Sequence, residues 1–484
     1  MKKLLIVGFL FLAALSSVAQ DGHYWTEPYG NKSMLLNGTV TGSVADLGAV
    51  YYNPARLGLV DKPAFLISAD VFQLTRVKME DGLGENIDFT ESDFGSAPSL
   101  VAGTFKIKKL PKQRFAYSIL TRNSSDLSIF FRTTEEGDIV DGIAGEEFFS
   151  GTVRINSDFK EKWMGFSVAH PFNENLSIGV SNFLAIRTQN DLFNMQLQAL
   201  SKQDNSVGIF IRDREVTLTE YSLIWKIGLA YDHEKFSAGL TVTTPKVNIG
   251  GNGSFLYEDF LAGVDTTGNG IPDDVYVTNV QQDLDVQHKL PLSVGVGVGI
   301  PIGKSKIHLS AEWFDKVERY VILEAESFTA QSSGEVISSR VVDDLKSVIN
   351  YGVGLELYLN KNLSMYYSFA TDYSAVREDR SRLLEFGEEY DNSTFQADIW
   401  HAGGGFVWKN TKVDITLGVT YTFANQTYER PLDIPDGDTQ VDTDPQKDTT
   451  LNLSQWRFLF GVSFPFLKDI RKNKDEPSDN SGNN

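Results

Sequence analysis

The stretch from Gly38 to Phe65 decides the fold, and it reads G-T-V-T-G-S-V-A-D-L-G-A-V-Y-Y-N-P-A-R-L-G-L-V-D-K-P-A-F. It is rich in small residues, and its glycines allow tight turns without a large core of its own. Asn53 precedes Pro54, and a proline ring moves its neighbour out of the helical region, which signals a turn. The pattern predicts a compact plug that leads directly into a first β-strand.

Residues 1–19 have the layout of a secretory signal peptide. Two lysines, Lys2 and Lys3, precede an apolar run over residues 4–14, and Ser17-Val18-Ala19 fits a small-residue cleavage site. The apolar run is too short to be a membrane-spanning helix. The sequence contains no cysteine, so disulfides and lipid attachment at a cysteine are both excluded. We therefore expect an exported chain with no covalent cross-link.

The 484-residue chain is acidic, with a formal net charge of -20. A balance of this sign argues against nucleic acid as a partner. No shift in composition marks a linker before the C-terminal tail, so one large unit fits better than several soluble domains. After residues 1–19 no apolar stretch is long enough to cross a bilayer as a helix. A soluble all-β protein and a membrane β-barrel both remain compatible with these features.

Strict alternation of apolar and small or polar residues is the main structural signal from Pro63 onward. A period of two over about ten residues is typical of β-strands. Four stretches show it most clearly: 221–231, 291–300, 351–359 and 413–423. In each of them one face is apolar or aromatic, and the other is mainly Gly, Ser, Thr or charged. The chain is therefore predicted to be all-β, although a soluble sandwich would alternate in the same way.

The connections between these strands alternate between short and long. The short polar ones are 110–113, 173–175, 233–235, 303–305, 360–362 and 410–411. The long, acidic and irregular ones are 80–96, 133–149, 250–283, 325–339, 378–393 and 429–450. Short periplasmic turns and long extracellular loops characterise outer-membrane barrels. The sequence thus predicts a transmembrane outer-membrane β-barrel of about fourteen antiparallel strands, with both chain ends on the short-turn side.

This reading divides the chain into a signal peptide (1–19), an N-terminal hatch or plug (20–62), a barrel (63–466) and a disordered periplasmic tail (467–484). Large aromatic side chains cluster near the predicted strand ends and suit interfacial girdles. These aromatics are Trp163, Phe166, Trp225, Tyr366, Tyr367, Trp400, Trp408 and Trp456.

The segment after the predicted signal peptide carries an ordered set of motifs, namely Ala45-Asp46, Asn53-Pro54-Ala55, Asp61, Pro63 and Phe65. In this order the set resembles the hatch segment of the long-chain fatty acid outer-membrane transporter family (FadL/TodX type). The resemblance implies a plugged barrel for passive uptake of long-chain fatty acids or other hydrophobic compounds. Its motifs cover only the N-terminal part of the chain.

A barrel of about fourteen strands would leak unless something filled its lumen, and residues 20–62 are suited to fill it. The expected hatch or gating residues are Asp46, Asn53, Pro54, Ala55 and Arg56. The expected charged residues of the lumen are Lys226, Glu356, Asp414 and Arg457. We expect Glu356 or Asp414 to pair with Arg56 and hold the plug.

The stretch from Asp265 to Asp274 resembles calcium loops that place oxygen ligands at alternate positions around a glycine turn. Asp265, Asn269 and Asp273 are the candidate ligands. Thr267 and Asn269 stand where aspartates are usual, and no bidentate glutamate follows. A structural calcium ion and a simple solvated outer loop are therefore both open, and no other cofactor is expected.

No enzymatic motif stands out in the sequence, because the six histidines are scattered and lack metal-ligand spacing. The expected partners are hydrophobic small molecules or fatty acids and the lipid of the outer membrane, with the protein as a monomer. Acidic outer loops would repel a carboxylate within a Debye length of ~8 Å, which favours neutral compounds. The alternatives are a barrel that acts as scaffold or carrier for secreted or surface proteins, a general porin, and a soluble β-sandwich.

Overall fold

The structure is a computed structural model that describes residues 22–59, 65–82, 88–140, 142–377, 389–392, 395–410, 413–429 and 448–464. The predicted signal peptide and tail lie outside the described residues, as do Asp61 and Pro63. No helix among the described residues is long and apolar enough to cross a membrane.

The described chain contains three short helices near its beginning and twenty-one strands after them. The helices are α1 (Lys32–Leu35), α2 (Ala49–Tyr52) and a 3-10 helix (Pro54–Gly58). The strands are β1 (Phe65–Glu80), β2 (Phe89–Phe105), β3 (Arg114–Gly137), β4 (Glu147–Pro171), β5 (Leu176–Ser201), β6 (Val207–His233), β7 (Phe236–Thr243), β8 (Val247–Val264), β9 (Asp273–Leu284), β10 (Ser293–Ile302), β11 (Ser305–Phe314), β12 (Val317–Glu324), β13 (Phe328–Thr329), β14 (Val336–Ile337), β15 (Arg340–Leu345), β16 (Val348–Asn360), β17 (Leu363–Asp372), β18 (Glu389–Asp391), β19 (Ile399–Lys409), β20 (Asp414–Glu429) and β21 (Asp448–Phe464).

Fourteen of these strands form a closed antiparallel barrel, as the sequence predicts. Around the ring the order is β1, β2, β3, β4, β5, β6, β7, β10, β11, β16, β17, β19, β20 and β21. The first and last strands close it, with Phe65 opposite Phe464 and Glu80 opposite Thr450. Closure leaves no free sheet edge around the base of the barrel, which is what a membrane requires of a β-structure.

The alternation of the sequence becomes an outer and an inner face of the barrel. On β21, Trp456 and Phe458 are 46% and 45% exposed, while their neighbours Gln455 and Arg457 are 1% exposed. Outward apolar rows of this kind form the lipid-facing band of a membrane barrel. The assignment of Trp163 and Tyr366 to girdles is wrong, because their strand positions face the lumen, where both are buried.

Several strands continue far beyond the length that a membrane needs. β3 to β6 have 24 to 27 residues each, whereas a tilted strand crosses a bilayer in about 9–11. β8 and β9 extend the same sheet beside β6. The expectation that residues 250–283 are irregular is therefore wrong, because most of them lie in these two strands, whose polar side chains resemble a loop in sequence.

The connections at the long-loop end also fold into structure. β12, β15 and β18 form a three-stranded sheet, and β13 pairs with β14. Apolar side chains from this small sheet join residues of β6, β8 and β11 in one buried cluster, for example Tyr320, Val341, Leu218, Phe255 and Phe314. We call this cluster the cap core, because it lies toward the long-loop end of the lumen.

Candidate functional site

Residues 22–59, called the hatch from here on, lie inside the ring of strands. Helix α1 contacts β17, β19 and β20, whereas the 3-10 helix contacts β3, β4, β5 and β6. These two groups of strands lie on different sides of the barrel. A segment that touches both groups occupies the lumen between them.

Asp46 holds the first half of the hatch together. Its side chain accepts hydrogen bonds from the backbone N–H groups of Asn31 (2.9 Å), Lys32 (2.6 Å), Ser33 (3.0 Å) and Gly48 (2.9 Å), and also from the Ser33 hydroxyl (2.9 Å). The first N–H groups of a helix have no partner within it, and a negative charge there is favourable. Asp46 thus caps α1 from another part of the chain, since Asn31 at the cap position makes no side-chain cap bond.

Asn53 joins the hatch turn to the barrel wall. Its Oδ1 accepts a hydrogen bond from the Ala55 N–H (3.1 Å), and its Nδ2 donates to the carbonyls of Thr41 (2.9 Å) and Leu229 on β6 (3.1 Å). Pro54 begins the 3-10 helix, where its fixed φ is suitable and its missing N–H costs nothing. The triplet thereby fixes a turn and anchors it to β6.

Arg56 fixes the end of the hatch. Its Nε donates to the Val44 carbonyl (3.1 Å), and its guanidinium pairs with Asp232 at the end of β6. The expected pairing of Arg56 with Glu356 or Asp414 is therefore wrong. The 3-10 helix faces β4, β5 and β6, whereas Glu356 and Asp414 belong to β16 and β20.

The other lumen candidates serve different parts of the wall. Lys226 is buried, with its Nζ 3.7 Å from Glu312 and 4.6 Å from the centre of the Tyr51 ring. Glu356 accepts a hydrogen bond from the Tyr366 hydroxyl (2.9 Å). Asp414 begins β20 and is partly exposed.

Charged wall residues from four different strands hold residues 24–27 of the hatch. Arg457 of β21 is the only one among them that sequence reasoning singled out. Arg122 of β3 donates to the Tyr24 carbonyl (3.0 Å), and Asp372 of β17 accepts from the N–H groups of Tyr24 (2.8 Å) and Trp25 (3.0 Å). Glu312 of β11 accepts from Trp25 Nε1 (3.0 Å). Arg457 donates to the Thr26 carbonyl (2.7 Å) and pairs with Glu27 (3.1 Å). A charged residue at a position expected to face the lumen is the signal that could have found the other three.

Glycines on the inner face of the wall receive the hatch backbone and side chains. A Cβ atom on Gly297 would lie 2.6 Å from the Gly42 nitrogen, and one on Gly228 would lie 2.1 Å from Asn53 Oδ1. Such distances are too short for real atoms, so these positions need glycine. Similar close approaches to the hatch involve Gly179, Gly239, Gly299, Gly352, Gly354, Gly418 and Gly461. The glycine-rich inner face of the barrel strands is therefore the surface on which the hatch packs.

Little space remains between the wall and the part of the hatch that contains Tyr24, Trp25 and Tyr51. A void lined by hatch residues Tyr24, Trp25 and Tyr51 and by wall residues Lys226 and Glu312 measures about 20 Å³. A void of this size holds about one water molecule. The lumen is filled at this level.

The wall itself opens between β2 and β3. The two strands pair only between Leu100–Phe105 and Phe115–Leu120, although the rest of both strands is described, and β3 continues in register with β4 to Gly137. Just beyond the paired stretch, the Thr121 hydroxyl donates a hydrogen bond to the Pro98 carbonyl (3.1 Å). Proline suits this edge because it has no N–H to pair.

The hatch reaches the lower edge of this opening through Tyr29. Its hydroxyl donates to the carbonyl of Thr121 (2.8 Å), beside a bulge at Arg122. The Tyr29 N–H donates in turn to the Tyr52 hydroxyl (2.8 Å), next to Asn53. The carbonyl of a strand edge that β2 does not pair is thus satisfied by the hatch.

The candidate calcium loop is tied by its own hydrogen bonds. Asp265 accepts from the N–H groups of Asn269 (3.1 Å) and Gly270 (2.6 Å), and Asp273 accepts from the N–H of Thr266 (2.9 Å). Desolvation within the loop opposes these amide hydrogen bonds, which nevertheless lower the pKa of Asp265 below its usual range. No group of three or more His, Cys, Asp or Glu in the described residues could hold a metal ion. Calcium binding through Asp265, Asn269 and Asp273 stays a prediction.

Replacement of a wall glycine should unseat the hatch. In Gly297→Ala the new methyl group would meet the Gly42 nitrogen at 2.6 Å, so we expect steady ion conductance in planar bilayers. In the matched control Gly404→Ala, the methyl group would lie 3.3 Å from the nearest atom and should add no conductance. Equal conductance of both variants and the unmodified protein, with both barrels inserted, would contradict the proposed seat.

If the loop binds calcium, chelation should increase protease cleavage near Gly270, because fewer ligands would then order the loop. In Asp273→Ala the difference between chelated and calcium-loaded protein should disappear. Asp204→Ala, which changes an exposed acid in another connection, should preserve it. If the unmodified protein were cleaved equally with and without chelator, calcium binding by this loop would be excluded.

Comparison with known proteins gives no match by sequence and clear matches by structure. No protein-family profile matches the chain, and no curated protein sequence matches it. A FadL homologue from Pseudomonas aeruginosa superposes with a TM-score of 0.53 at 11% identity, over 94% of this chain and 100% of that one. The Pseudomonas putida toluene transporter TodX gives 0.52 at 13% identity, over 92% and 99%. The CymD monoaromatic hydrocarbon channel gives 0.50 at 11% identity, over 93% and 99%. The chain therefore has the fold of the FadL-type outer-membrane channels.

Proposed function

We propose that the protein is an outer-membrane channel for passive, hatch-gated uptake of long-chain fatty acids or other hydrophobic compounds. The observation that carries the proposal is an opening in the wall beside a filled lumen. A lumen filled by the hatch is a poor route for salts and sugars. A hydrophobic compound can leave sideways through the wall into the membrane, where it is most soluble.

Among the described residues, the lumen behind the opening contains an apolar cluster. Val77 and Met79 of β1 and Val153 and Ile155 of β4, which lie on the two sides of the opening, belong to one buried cluster. Further members come from β5, β19, β20 and β21, among them Phe193, Met195, Ile399, Ala424, Leu451 and Leu453. A surface of this kind favours an apolar compound by about 25 cal/mol for each Å² removed from water.

The hatch is connected to this opening by a short chain of hydrogen bonds. Asn53 anchors the hatch turn to β6, Tyr52 bonds to Tyr29, and Tyr29 bonds to the edge of β3. A shift of the turn would therefore change the support of the strand that borders the opening. This connection supports a gating role for Asp46, Asn53, Pro54, Ala55 and Arg56.

The structural neighbours support the substrate class but do not fix the compound. Two of them are described as a toluene transporter and a monoaromatic hydrocarbon channel, and we infer hydrophobic small molecules for this chain as well. The net charge of -20 favours neutral compounds over carboxylates at the outer face. The outer membrane is the corresponding location, with the long connections outside.

Loosening the hatch turn should change transport without unfolding the barrel. In Asn53→Ala with Pro54→Ala, the bonds to Thr41 and Leu229 are lost, while the closed strand ladder that stabilises the barrel remains. We expect a heat-modifiable, inserted barrel with reduced uptake of labelled toluene and oleate, or with new ion conductance. The control Pro171→Ala with Asn173→Ala changes the same residue types at the end of β4 and in the short turn that follows. Wild-type uptake without added conductance in the first variant would remove the hatch from the gate.

Blocking the wall opening should reduce uptake directly. Because the chain has no cysteine, Ser128→Cys on β3 can be modified alone with a bulky maleimide. We expect labelled toluene uptake to fall severalfold after modification, while modification of the control Thr188→Cys on β5 leaves it unchanged. Equal uptake in both modified proteins would show that the substrate does not leave through this opening.

A scaffold for other secreted or surface proteins is the second candidate. It is favoured by a cavity of about 600 Å³ at the far ends of β3 to β6, where Phe148, Leu200 and Val207 are 38–59% exposed. Apolar surface far from the membrane is a feature of protein-binding sites. Normal uptake in cells would decide for transport, because a scaffold needs no path through the wall.

A further inference from the structure

The outer wall carries its positive charge beside the opening. On β1, β3, β4, β20 and β21 the outward apolar row ends at a first polar residue, which lies at the level of the lipid headgroups, where the opening begins. This residue is Arg76 on β1 and Lys162 on β4, followed outward by Lys78 and Lys160. On the neighbouring strands it is uncharged, namely Thr121 on β3, Asn425 on β20 and Ser454 on β21. Although the chain as a whole is acidic, β1 and β4 thus carry cations at this membrane level on the two sides of the opening.

On the β1 side of the opening, the described residues form a concave groove that could receive a ligand. A groove of about 920 Å³ runs along the upper parts of β1, β21 and β20 and ends at the residues before β19. It exists because β19 begins at Ile399 whereas β20 continues to Glu429. The residues before β19 close the inner side of the groove. The N–H groups of Gln396 and Ala397 donate hydrogen bonds to Gln426 Oε1 (2.6 and 3.0 Å).

The groove combines cations with aromatic rings. Arg76, Lys78 and Lys346 are among its lining residues, and Trp400, Tyr421 and Phe423 form its apolar part. Tyr421 lies 4.5 Å from Trp456, ring centre to ring centre. Aromatic side chains at this depth are typical of the headgroup level of a bilayer.

Two cations of the groove, Arg76 and Lys78, are only lightly neutralised. No ion pair involves Arg76 in the described part of the chain, and it is exposed. Lys78 lies 2.6 Å from Glu80 and 3.6 Å from Asp88, and such exposed pairs contribute little. Asp398 is the carboxylate in the lining, and its Oδ1 accepts a hydrogen bond from the Ser374 N–H (3.1 Å).

We propose that this groove binds the phosphorylated headgroup of an outer-leaflet glycolipid. The Arg76 guanidinium suits two phosphate oxygens at once, and the lysines add flexible positive charge. The aromatic rings contact the first parts of the acyl chains. A lipid held there lies beside β1, one strand from the opening. The site is independent of the transported compound and requires only the membrane placement given above.

The test uses full-length protein purified in detergent and incubated with bisphosphorylated lipid A, with the bound lipid counted by native mass spectrometry. We expect Arg76→Gln with Lys78→Gln to lower lipid retention roughly 25-fold, since each of the two cations near an anionic lipid surface contributes a factor of about five. The matched control Lys160→Gln with Lys162→Gln removes the same charge at the same membrane level outside the lining of this groove, and should keep at least half of the binding.

Two further arms define the ligand chemistry. Dephosphorylated lipid A should bind the unmodified protein several times more weakly, and free inorganic phosphate should not displace the lipid. Equal losses in both double variants would indicate general charge attraction and overturn the proposal, as would unchanged binding in the groove variant. Displacement by inorganic phosphate would also overturn it, because the site would then recognise a free anion.

Discussion

The contact between the hatch backbone and the glycines of the wall is the constraint on which the rest of the structure depends. A fourteen-strand ring encloses more space than wall side chains alone can fill. Where Gly297 meets Gly42 and Gly228 meets Asn53, the wall has no side chains, so a second layer of polypeptide fits. The inner face of the strands is therefore glycine-rich for packing, and the outer face is apolar for lipid.

Charged side chains also hold the hatch in place, in addition to its packing against the wall glycines. Asp46 organises the hatch internally, Arg56 joins its end to Asp232, and Arg122, Asp372 and Arg457 hold its beginning. These groups lie in a confined space, where hydrogen bonds to charged partners are strong and unpaired charges are costly. The hatch is thus fastened at both ends and supported between them. Movement at one end does not require release of the other.

The sequence predicts much of the fold because alternation and the asymmetry of the connections are local. It predicts the closed barrel of about fourteen strands and, through the Asn-Pro-Ala triplet, a turn before the first strand. The period of two also excludes Trp163 from a girdle, because its parity on β4 is opposite to that of Phe166. The partner of Arg56 could not be predicted, because Asp232 is 176 residues away and its position depends on how the ring closes.

The opening between β2 and β3 was also beyond sequence reasoning. The outer half of β2 lies within residues 80–96, which resemble an irregular loop in sequence, and nothing local states that β2 and β3 diverge after Leu120. Pro98 and the bulge at Arg122 are the local features that fit the divergence. Their meaning depends on which strands are neighbours.

The position of the hatch within the ring also sets an order of assembly. Asn31 and Leu35 approach Gly461 and Gly418 on the last two strands, while the 3-10 helix contacts β4 to β6. The first described segment of the chain therefore completes its contacts only when the final strands arrive. Because β1 pairs with β21, the same event closes the wall. The hatch must be in place before the seam forms, so closure and filling of the barrel are one late, long-range step.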